Sequence, residues 1–184
     1  MTTQMTNVAQ PIRKTIEVLK NWGINPIPET PELRHDIVEW GMSWIAQARD
    51  GDIDDLLVFE KDNNPGLPHT AIDWILTRAM LQEPRPCYIY CVSGQQIIRF
   101  NGDAEAVTEQ RQKIQSAPII WIRELTAAEL SNHERQNLYK FLEEMDRKDK
   151  TVIITASLPI STIVDWVGPV ITRHFERQYA LVAV

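Results

Sequence analysis

The sequence has few cysteines, no pattern of a secretion signal and no apolar run long enough to span a membrane. Its only two cysteines, Cys87 and Cys91, lie in PCYIYCV, where strand alternation puts both on one face. A pair in one strand cannot form a normal disulfide and is too small a set for a zinc site, so we interpret both as small buried thiols. The polar start MTTQMTNVAQP lacks the apolar core of a secretion signal, and no apolar run approaches a membrane span. These absences predict a cytoplasmic protein.

Positive charge is also scarce. The chain has 19 Lys and Arg against 25 Asp and Glu, a net charge of −6. Broad nonspecific coating of nucleic acid is excluded, because counterion release needs many clustered cations. The best local basic group is Arg173, His174 and Arg177. It fits either a solvated helix end or a contact with a partner or nucleic acid.

Apolar runs of strand length alternate with helical patterns through most of the chain. Continuous apolar strands separated by helices are typical of a parallel sheet covered on both faces. The sequence therefore predicts an α/β three-layer sandwich with a five-stranded, mostly parallel sheet and helices on both faces. The strands are expected near residues 55–60, 87–92, 117–123, 151–156 and 179–184.

The first part of the chain predicts a helix and a linker. A helix is expected over 11–22, with Pro11 in its first turn and Gly23 as its stop, followed by the extended linker INPIPE. A second helix is expected to begin at Thr30 and Pro31. Trp40 and Trp44 share a face of that helix, which indicates core packing or, alternatively, an aromatic docking surface. We predict an N-terminal helix and linker over 1–29 and one α/β domain over 30–184.

The loop NNPGLPHT, residues 63–70, follows the first predicted strand and precedes a helical pattern. A phosphate-binding loop, or Walker A motif, reads G-x-x-x-x-G-K-[ST]: its glycines let amides wrap the phosphates, its lysine neutralises them, and its hydroxyl holds magnesium. Aligned to that pattern, Asn63 and Pro68 replace the glycines, His69 replaces the lysine, and Thr70 is retained.

Two later segments complete a resemblance. The stretch APIIWIRE ends in Arg123 and Glu124, and TVIITASLP carries Ser157 before Leu-Pro. The chain resembles AAA+ P-loop ATPases of the DnaC and IstB helicase-loader type over roughly residues 30–184. Those proteins have Asp-Glu after one strand (Walker B) and a Thr-Ser-Asn sensor after another. The resemblance also gives Arg173 the position of an arginine that acts across a subunit boundary, with Arg177 one turn later. It further implies a first strand inside the sheet, beside both the strand that carries the acidic motif and the strand that carries the sensor.

The differences from that family predict a degenerate nucleotide site. Pro68 lacks a backbone N–H, and a neutral imidazole at His69 is too short to replace a lysine ammonium. Arg123 reverses a metal-holding charge and would repel magnesium. A further hypothesis is that Arg123 replaces the missing metal as a fixed cation, with Asp62 or Glu124 nearby. Glu124 is expected to pair with Arg123 or another local cation, and Ser157 to be a strand-end hydroxyl. We predict no cofactor, no metal and no catalytic residue, with a vestigial site at Asn63, Gly66, Pro68, His69, Thr70, Arg123, Glu124 and Ser157.

Three functions follow from this interpretation. The first is a pseudo-ATPase, an inactive AAA+-like module that binds or regulates a replication or transposition partner: a helicase, a transposase or an active AAA+ homologue. Its partner contact is expected at Arg173 and Arg177. The second is an unusual nucleotide-binding ATPase that relies on Thr70 and Glu124. The third is a loader-like protein that binds single-stranded nucleic acid.

Overall fold

A computed structural model describes residues 5–27, 31, 33–50, 54–61, 63–82, 89–98 and 104–184 of the chain. Helices and strands alternate along these residues. In chain order they are α1 (Met5–Asn21), α2 (His35–Asp50), β1 (Asp55–Phe59), α3 (Leu67–Gln82), β2 (Ile89–Ser93), α4 (Gly94–Ile98), α5 (Ala104–Ser116), β3 (Ile119–Arg123), α6 (Asn132–Arg147), β4 (Thr151–Ala156), α7 (Ile160–Val167), α8 (Pro169–Gln178) and β5 (Tyr179–Ala183).

The chain divides into two compact units. The first comprises Met1–Asp52 and Thr70–Pro86, and the second comprises Ile53–His69 and Cys87–Val184. All five strands and the helices from α4 onward belong to the second unit, while α3 begins in the second unit and continues in the first. The predicted boundary between residues 29 and 30 stays a prediction.

The five strands form one parallel sheet in the order β2-β3-β4-β1-β5. The predicted α/β fold with a five-stranded parallel sheet is confirmed, and each strand described lies at its predicted position. The sheet interior is apolar without alternation: β4 is buried from Val152 to Ala156, and β3 from Ile119 to Ile122. Strands of a parallel sheet read this way because both of their faces are covered. Cys91 of β2 is a half-buried thiol, and Cys87 lies outside the described residues.

The position of β1 corrects one expectation. We expected the first strand beside both the strand that carries the acidic motif and the strand that carries the sensor. It pairs with the sensor strand β4 and with β5, whereas β3 lies on the far side of β4. The carboxyl ends of β1, β4 and β3 nevertheless meet at one edge, because neighbouring strands of a parallel sheet point the same way. Side chains that follow these strands can therefore converge there.

The helices differ from the sequence prediction mainly at their amino-terminal ends. Helix α1 begins at Met5 and runs through Pro11, which costs one backbone hydrogen bond but does not end the helix. Helix α2 begins at His35, after a turn in which the amide of Leu33 donates to the carbonyl of Pro31. Thr30 lies outside the described residues. The short helices α4 and α7 were not predicted, since neither is long enough to establish a period.

Contacts within the first unit hold the linker after α1 against α3. The amide of Asn25 donates to Asp73 Oδ1 at 2.9 Å, and that of Ile27 donates to Thr77 Oγ1 at 3.1 Å. The extended INPI segment thus satisfies its amides with side chains of a helix rather than with a second strand. Trp44 is buried, as expected for core packing. Among the described residues, no helix is long and apolar enough to cross a membrane.

Helix α6 is closed at its start by a capping box. The amide of Glu134 donates to Ser131 Oγ at 3.4 Å, and the amide of Ser131 donates to Glu134 Oε2 at 2.8 Å. Two otherwise unpaired helix donors are satisfied in this way. The inner face of α6 buries Leu138, Leu142 and Met145 in the core of the second unit.

The pH dependence of stability should report a carboxyl at the start of β1. Burial raises the pKa of Asp55 from 3.8 to about 6, against the Val152 amide that donates to it and with repulsion from Asp146 and Asp54. A raised pKa means that the folded state binds the proton more tightly. The stabilisation is therefore complete below pH 3.8 and is lost as the pH rises through about 6.

We therefore expect Asp55→Asn to gain stability over the wild type between pH 4 and pH 7. The gain should be about 1 to 2 kcal/mol, after allowance for solvent screening of a partly exposed carboxyl. Urea unfolding of both proteins across this range measures it. Parallel stability curves for the two proteins would contradict the assignment.

Candidate functional site

Four side chains converge at the carboxyl edge of the sheet, from the ends of β3 and β4 and from the start of α3. His69 lies in the first turn of α3, after the loop that leaves β1. Glu124 and Ser157 directly follow β3 and β4, and Thr155 is the next-to-last residue of β4. We call His69, Glu124, Thr155 and Ser157 the His69 cluster. All four belong to the second unit.

The imidazole of His69 is the centre of this cluster. Its Nδ1 lies 2.8 Å from Thr155 Oγ1, and its Nε2 lies 3.1 Å from Glu124 Oε2 and 3.2 Å from Ser157 Oγ. The side chain is only 17% exposed. Both ring nitrogens are thus occupied by groups of the chain itself.

The hydrogen bonds around Thr155 indicate which nitrogen of the ring faces a donor. Thr155 Oγ1 accepts from Trp121 Nε1 at 3.1 Å and, at a longer 3.4 Å, from the amide of Glu124. With both lone pairs engaged, the hydroxyl proton is donated to His69 Nδ1. The ring proton is then on Nε2, from which it is donated to the Glu124 carboxylate. In this arrangement both ring nitrogens of His69 have hydrogen-bond partners.

Glu124 is held as a carboxylate. Burial alone would raise its pKa, but hydrogen bonds from His69 and from the side chain and amide of Ser157 hold the pKa of Glu124 below its usual range. The Ser157 amide donates to Glu124 Oε1 at 3.2 Å. The backbone of Glu124 has φ 57, a left-handed conformation that is uncommon for a residue with a side chain. The sequence predicted that Glu124 pairs with Arg123 or another local cation; in the structure Glu124 Oε2 lies 3.1 Å from His69 Nε2.

Arg123 stacks on an aromatic ring. Its Cζ lies 5.1 Å from the centroid of the Trp121 ring, and the side chain is half-buried. A cation over an aromatic face is stabilised by the ring quadrupole. Asp62, the other carboxylate considered for Arg123, lies outside the described residues. The position that the resemblance gives to a metal-holding aspartate is thus occupied by an arginine whose cation packs on Trp121.

The loop between β1 and α3 also uses a carboxylate of the chain. The amide of Asn64 donates to Glu60 Oε1 at 3.2 Å, and Glu60 is only 4% exposed. Asn63 has φ 56, which an asparagine tolerates better than most residues. Gly66 is exposed and Pro68 is buried. An amide that could have met a phosphate therefore already binds an anion.

Sequence reasoning missed Glu60, Thr155 and Gly94. The signal for Glu60 was a single carboxylate that ends the apolar run DLLVF. Gly94 donates its amide to the carbonyl of Glu124 at 3.1 Å, and a Cβ there would lie 2.0 Å from the Leu125 carbonyl oxygen. Only glycine allows β2 to approach the Glu124 turn this closely. The stretch CVSG, a strand followed by glycine, carried that signal.

Three further predicted residues lie on helices α3 and α8. Thr70 is half-buried in the first turn of α3, and Arg173 and Arg177 are exposed on α8. Within the residues that the structure describes, no group of three His, Cys, Asp or Glu side chains could hold a metal ion. The His69 cluster therefore consists of one ring, one carboxylate and two hydroxyls.

Replacing the central hydroxyl should test the cluster. Thr155→Val leaves the buried Trp121 Nε1 without an acceptor and His69 Nδ1 without a donor, so we expect a loss of about 1 to 3 kcal/mol in the free energy of unfolding. Thr155→Ser keeps the hydroxyl and should cost clearly less. Urea unfolding at pH 7 compares the two variants, and equal losses would show that the hydroxyl is not what matters.

Comparison with known proteins identifies the fold. No family model matches the chain, and no curated protein sequence matches it. The crystal structure of the DnaC helicase loader matches with a TM-score of 0.65 and 15% identity, over 90% of this chain and 98% of that one. The crystal structure of DnaI matches with a TM-score of 0.65 and 10% identity, over 91% and 92%.

AMPPCP-bound DnaA from Aquifex aeolicus matches with a TM-score of 0.62 and 11% identity, over 83% of this chain. This chain spans 48% of that DnaA structure, about half its length. Together the three matches show that the chain has a DnaC-like AAA+ fold. The fold class predicted from the sequence is confirmed.

Proposed function

We propose that this chain, which has the AAA+ fold of the DnaC helicase loader, is a catalytically inactive member of that architecture. It would act as a binding or regulatory module on a partner in DNA replication or transposition: a helicase, a transposase or an active AAA+ homologue. The observation that carries this proposal is the His69 ring, which is bonded at once to Glu124, Thr155 and Ser157.

Phosphate binding at the loop would have to compete with the chain's own anions. The residue in the lysine position is an imidazole that already contacts Glu124, Thr155 and Ser157. The amide of Asn64 is taken by Glu60, and Pro68 has no amide proton to offer. An incoming polyphosphate would meet two carboxylates and no lysine. Each lost charge or donor costs on the order of 1 to 3 kcal/mol of binding.

Magnesium-dependent chemistry meets the same obstacle. Arg123 stands where the resemblance has an aspartate, and a guanidinium cannot ligate a metal. Glu124 is the one carboxylate of the cluster, and hydrogen bonds from His69 and Ser157 occupy both of its oxygens. A carboxylate with both oxygens engaged is poorly placed to polarise a water molecule. The second function, an unusual ATPase, would require these bonds to break.

Helix α8 offers the surface for a partner. Ile171 and Phe175 bury one face of the helix in the core of the second unit, which fixes its orientation. Arg173 and Arg177 lie four residues apart on the exposed side, with Val170, which is 59% exposed, one turn before Arg173. Two cations beside an exposed apolar side chain are suited to a protein contact, since such contacts favour arginine around an apolar centre.

Nucleotide titration tests the inactive site. We expect the wild type to bind ATP more weakly than about 1 mM with magnesium present, because a loss of about 4 kcal/mol turns a micromolar site into a millimolar one. The double variant Pro68→Gly, His69→Lys, which regains an amide and a cation, should bind more tightly than the wild type. Isothermal titration calorimetry measures both. Micromolar, magnesium-dependent binding by the wild type would instead support the unusual ATPase.

Charge reversal on α8 tests the partner surface. We expect the double variant Arg173→Glu, Arg177→Glu to weaken binding of a captured protein partner by about tenfold or more, because it replaces two exposed cations by two anions. Quantitative pull-down measures the loss, and circular dichroism checks that the fold is intact. The matched control is Lys14→Glu, Lys20→Glu, which makes the same change of charge on exposed positions of α1.

If both double variants retain the partner equally, the contact does not use α8. Single-stranded DNA is titrated in parallel at several salt concentrations. Tight binding with a steep salt dependence that the α8 variant abolishes would favour the third function, a nucleic-acid-binding protein.

A further inference from the structure

Strand β5 lies at an open edge of the sheet. In the order β2-β3-β4-β1-β5 it pairs on one side only, with β1. Over the residue ranges that the structure describes, no backbone group bonds to its outer side. An edge of this kind presents backbone donors and acceptors at the spacing of another extended chain. The ligand that fits it is therefore a further strand.

The hydrogen bonds just after β5 show which of its residues point outward. The amide of Val184 donates to the carbonyl of Phe59 at 3.0 Å, and the carbonyl of Val184 accepts from the amide of Lys61 at 2.8 Å. The N–H and C=O of one strand residue point to the same side, and successive residues alternate. The backbone groups of Ala183 and Leu181, which lie one and three positions before Val184, therefore point away from β1.

Tyr179, at the start of β5, points outward by the same alternation but already uses its amide. That amide donates to the carbonyl of Phe175 and closes the end of α8. The outer side of β5 thus offers the carbonyl of Tyr179 together with the amides and carbonyls of Leu181 and Ala183.

The side chains of β5 do not protect this edge. The segment YALVAV, residues 179–184, contains no charged residue, proline or glycine. Its register with β1 runs without a bulge from Tyr179 to Ala183. Natural edge strands are usually guarded by a charge, a proline or a bulge that prevents pairing with another chain. Here an apolar side chain, Leu181, is 44% exposed instead.

The strand is complementary to itself about Leu181. This residue is the middle one of the five in β5, and both of its backbone groups point outward. In an antiparallel pair with a two-fold axis at this position, each Leu181 amide would donate to the Leu181 carbonyl of the other copy. Each Ala183 amide would donate to the other copy's Tyr179 carbonyl. The Tyr179 amide, which α8 already uses, is not needed.

We propose that β5 pairs with the β5 of a second copy of this chain, antiparallel and centred on Leu181, so that the two sheets join into one. Two-fold self-pairing is the commonest route to a dimer of a soluble protein. No like charges meet in this pairing, because the segment has none. A charged segment of another protein would gain the same backbone bonds but would place its charges beside the exposed Leu181. The proposal does not depend on the α8 contact or on an inactive nucleotide site.

The dimer is expected to be weak. Specific, stable interfaces bury about 1,200 to 2,000 Å², and two paired strands of five residues supply only part of that area. We therefore expect a dissociation constant between about 1 μM and 1 mM. A partner that binds both copies at once would strengthen the association by raising the effective concentration.

Charges placed at the two-fold axis test this geometry. Leu181→Lys and Leu181→Glu should each weaken self-association by about fivefold or more, since like charges then lie directly opposite each other. An equal mixture of the two variants should associate more tightly than either variant alone, because opposite charges meet at the same position. Sedimentation equilibrium of the full chain, from micromolar to millimolar protein, measures all three samples. Met42→Lys, at an apolar side chain of α2 with a similar exposure of 42%, should leave self-association unchanged.

Hydrogen exchange locates the contact in the wild type. The amides of Ala180 and Val182 point towards β1 and should exchange slowly at every protein concentration. Those of Leu181 and Ala183 should exchange fast at micromolar protein and at least about fivefold more slowly at millimolar protein, where the second copy covers them.

Several results would overturn the proposal. They are a wild type that stays monomeric up to millimolar protein, self-association that both Leu181 variants retain, and a mixture that associates no more tightly than the separate variants. Protection of the Leu181 and Ala183 amides that is independent of concentration would also contradict it, because the edge would then be covered within one chain. Circular dichroism checks that the variants are folded, as the exposure of Leu181 leads us to expect.

Discussion

The hydrogen bonds of one imidazole join the ends of two strands to the first turn of a helix. The Nδ1 of His69 is hydrogen-bonded to the Thr155 hydroxyl and its Nε2 to the Glu124 carboxylate. Glu124 also accepts a hydrogen bond from the amide of Ser157. Without this ring, Glu124 would be a half-buried carboxylate short of a donor, and a buried threonine hydroxyl would lose its acceptor. The left-handed backbone at Glu124 is held in place by the same contacts.

The same network supplies acceptors from within the chain for donors at this edge of the sheet. In a phosphate-binding loop the cradle is completed by its ligand, so the empty loop leaves donors and a cation unpaired. In this chain Glu60 and Glu124 are the anions, and the amides of Asn64 and Ser157 and the ring of His69 are the donors. These donors at the carboxyl edge of the sheet are therefore hydrogen-bonded to acceptors of the same chain.

The sequence predicted the sheet because its strands are buried and apolar, a pattern that few other structures produce. It also predicted which residues meet at the edge, since the resemblance fixed Glu124, Ser157 and His69 relative to the strands. It could not predict the partners within the edge. The role of Thr155 depends on the hydrogen bonds that its hydroxyl accepts from Trp121 and from the amide of Glu124. The role of Gly94 depends on the close approach of its backbone to the turn at Glu124. Such relations are absent from periodicity and from motif spacing.

The predicted neighbours of β1 were partly wrong for a related reason. Apolar runs show where strands are but not which strands pair, and the exchange of β3 for β5 beside β1 changes no residue pattern. Helix starts were misplaced where proline signals competed: Pro11 suggested a first turn but lies inside α1, and Pro31 precedes α2 by a turn. Local sequence signals predicted these two helices, whereas tertiary contacts determine the residues at which they begin.

The place of β1 in the sheet has a consequence for how the protein forms. Its two neighbours are β4 and β5, so β1 is paired on both sides only by strands that lie about a hundred residues later in the chain. During synthesis the apolar strand β1 would have no pairing strand on either side until residues 151–183 had emerged from the ribosome. Folds dominated by such distant pairings form slowly and expose adhesive edges meanwhile. Chaperone dependence and loss of soluble yield on shortening β5 would follow from topology alone, whatever the chain binds.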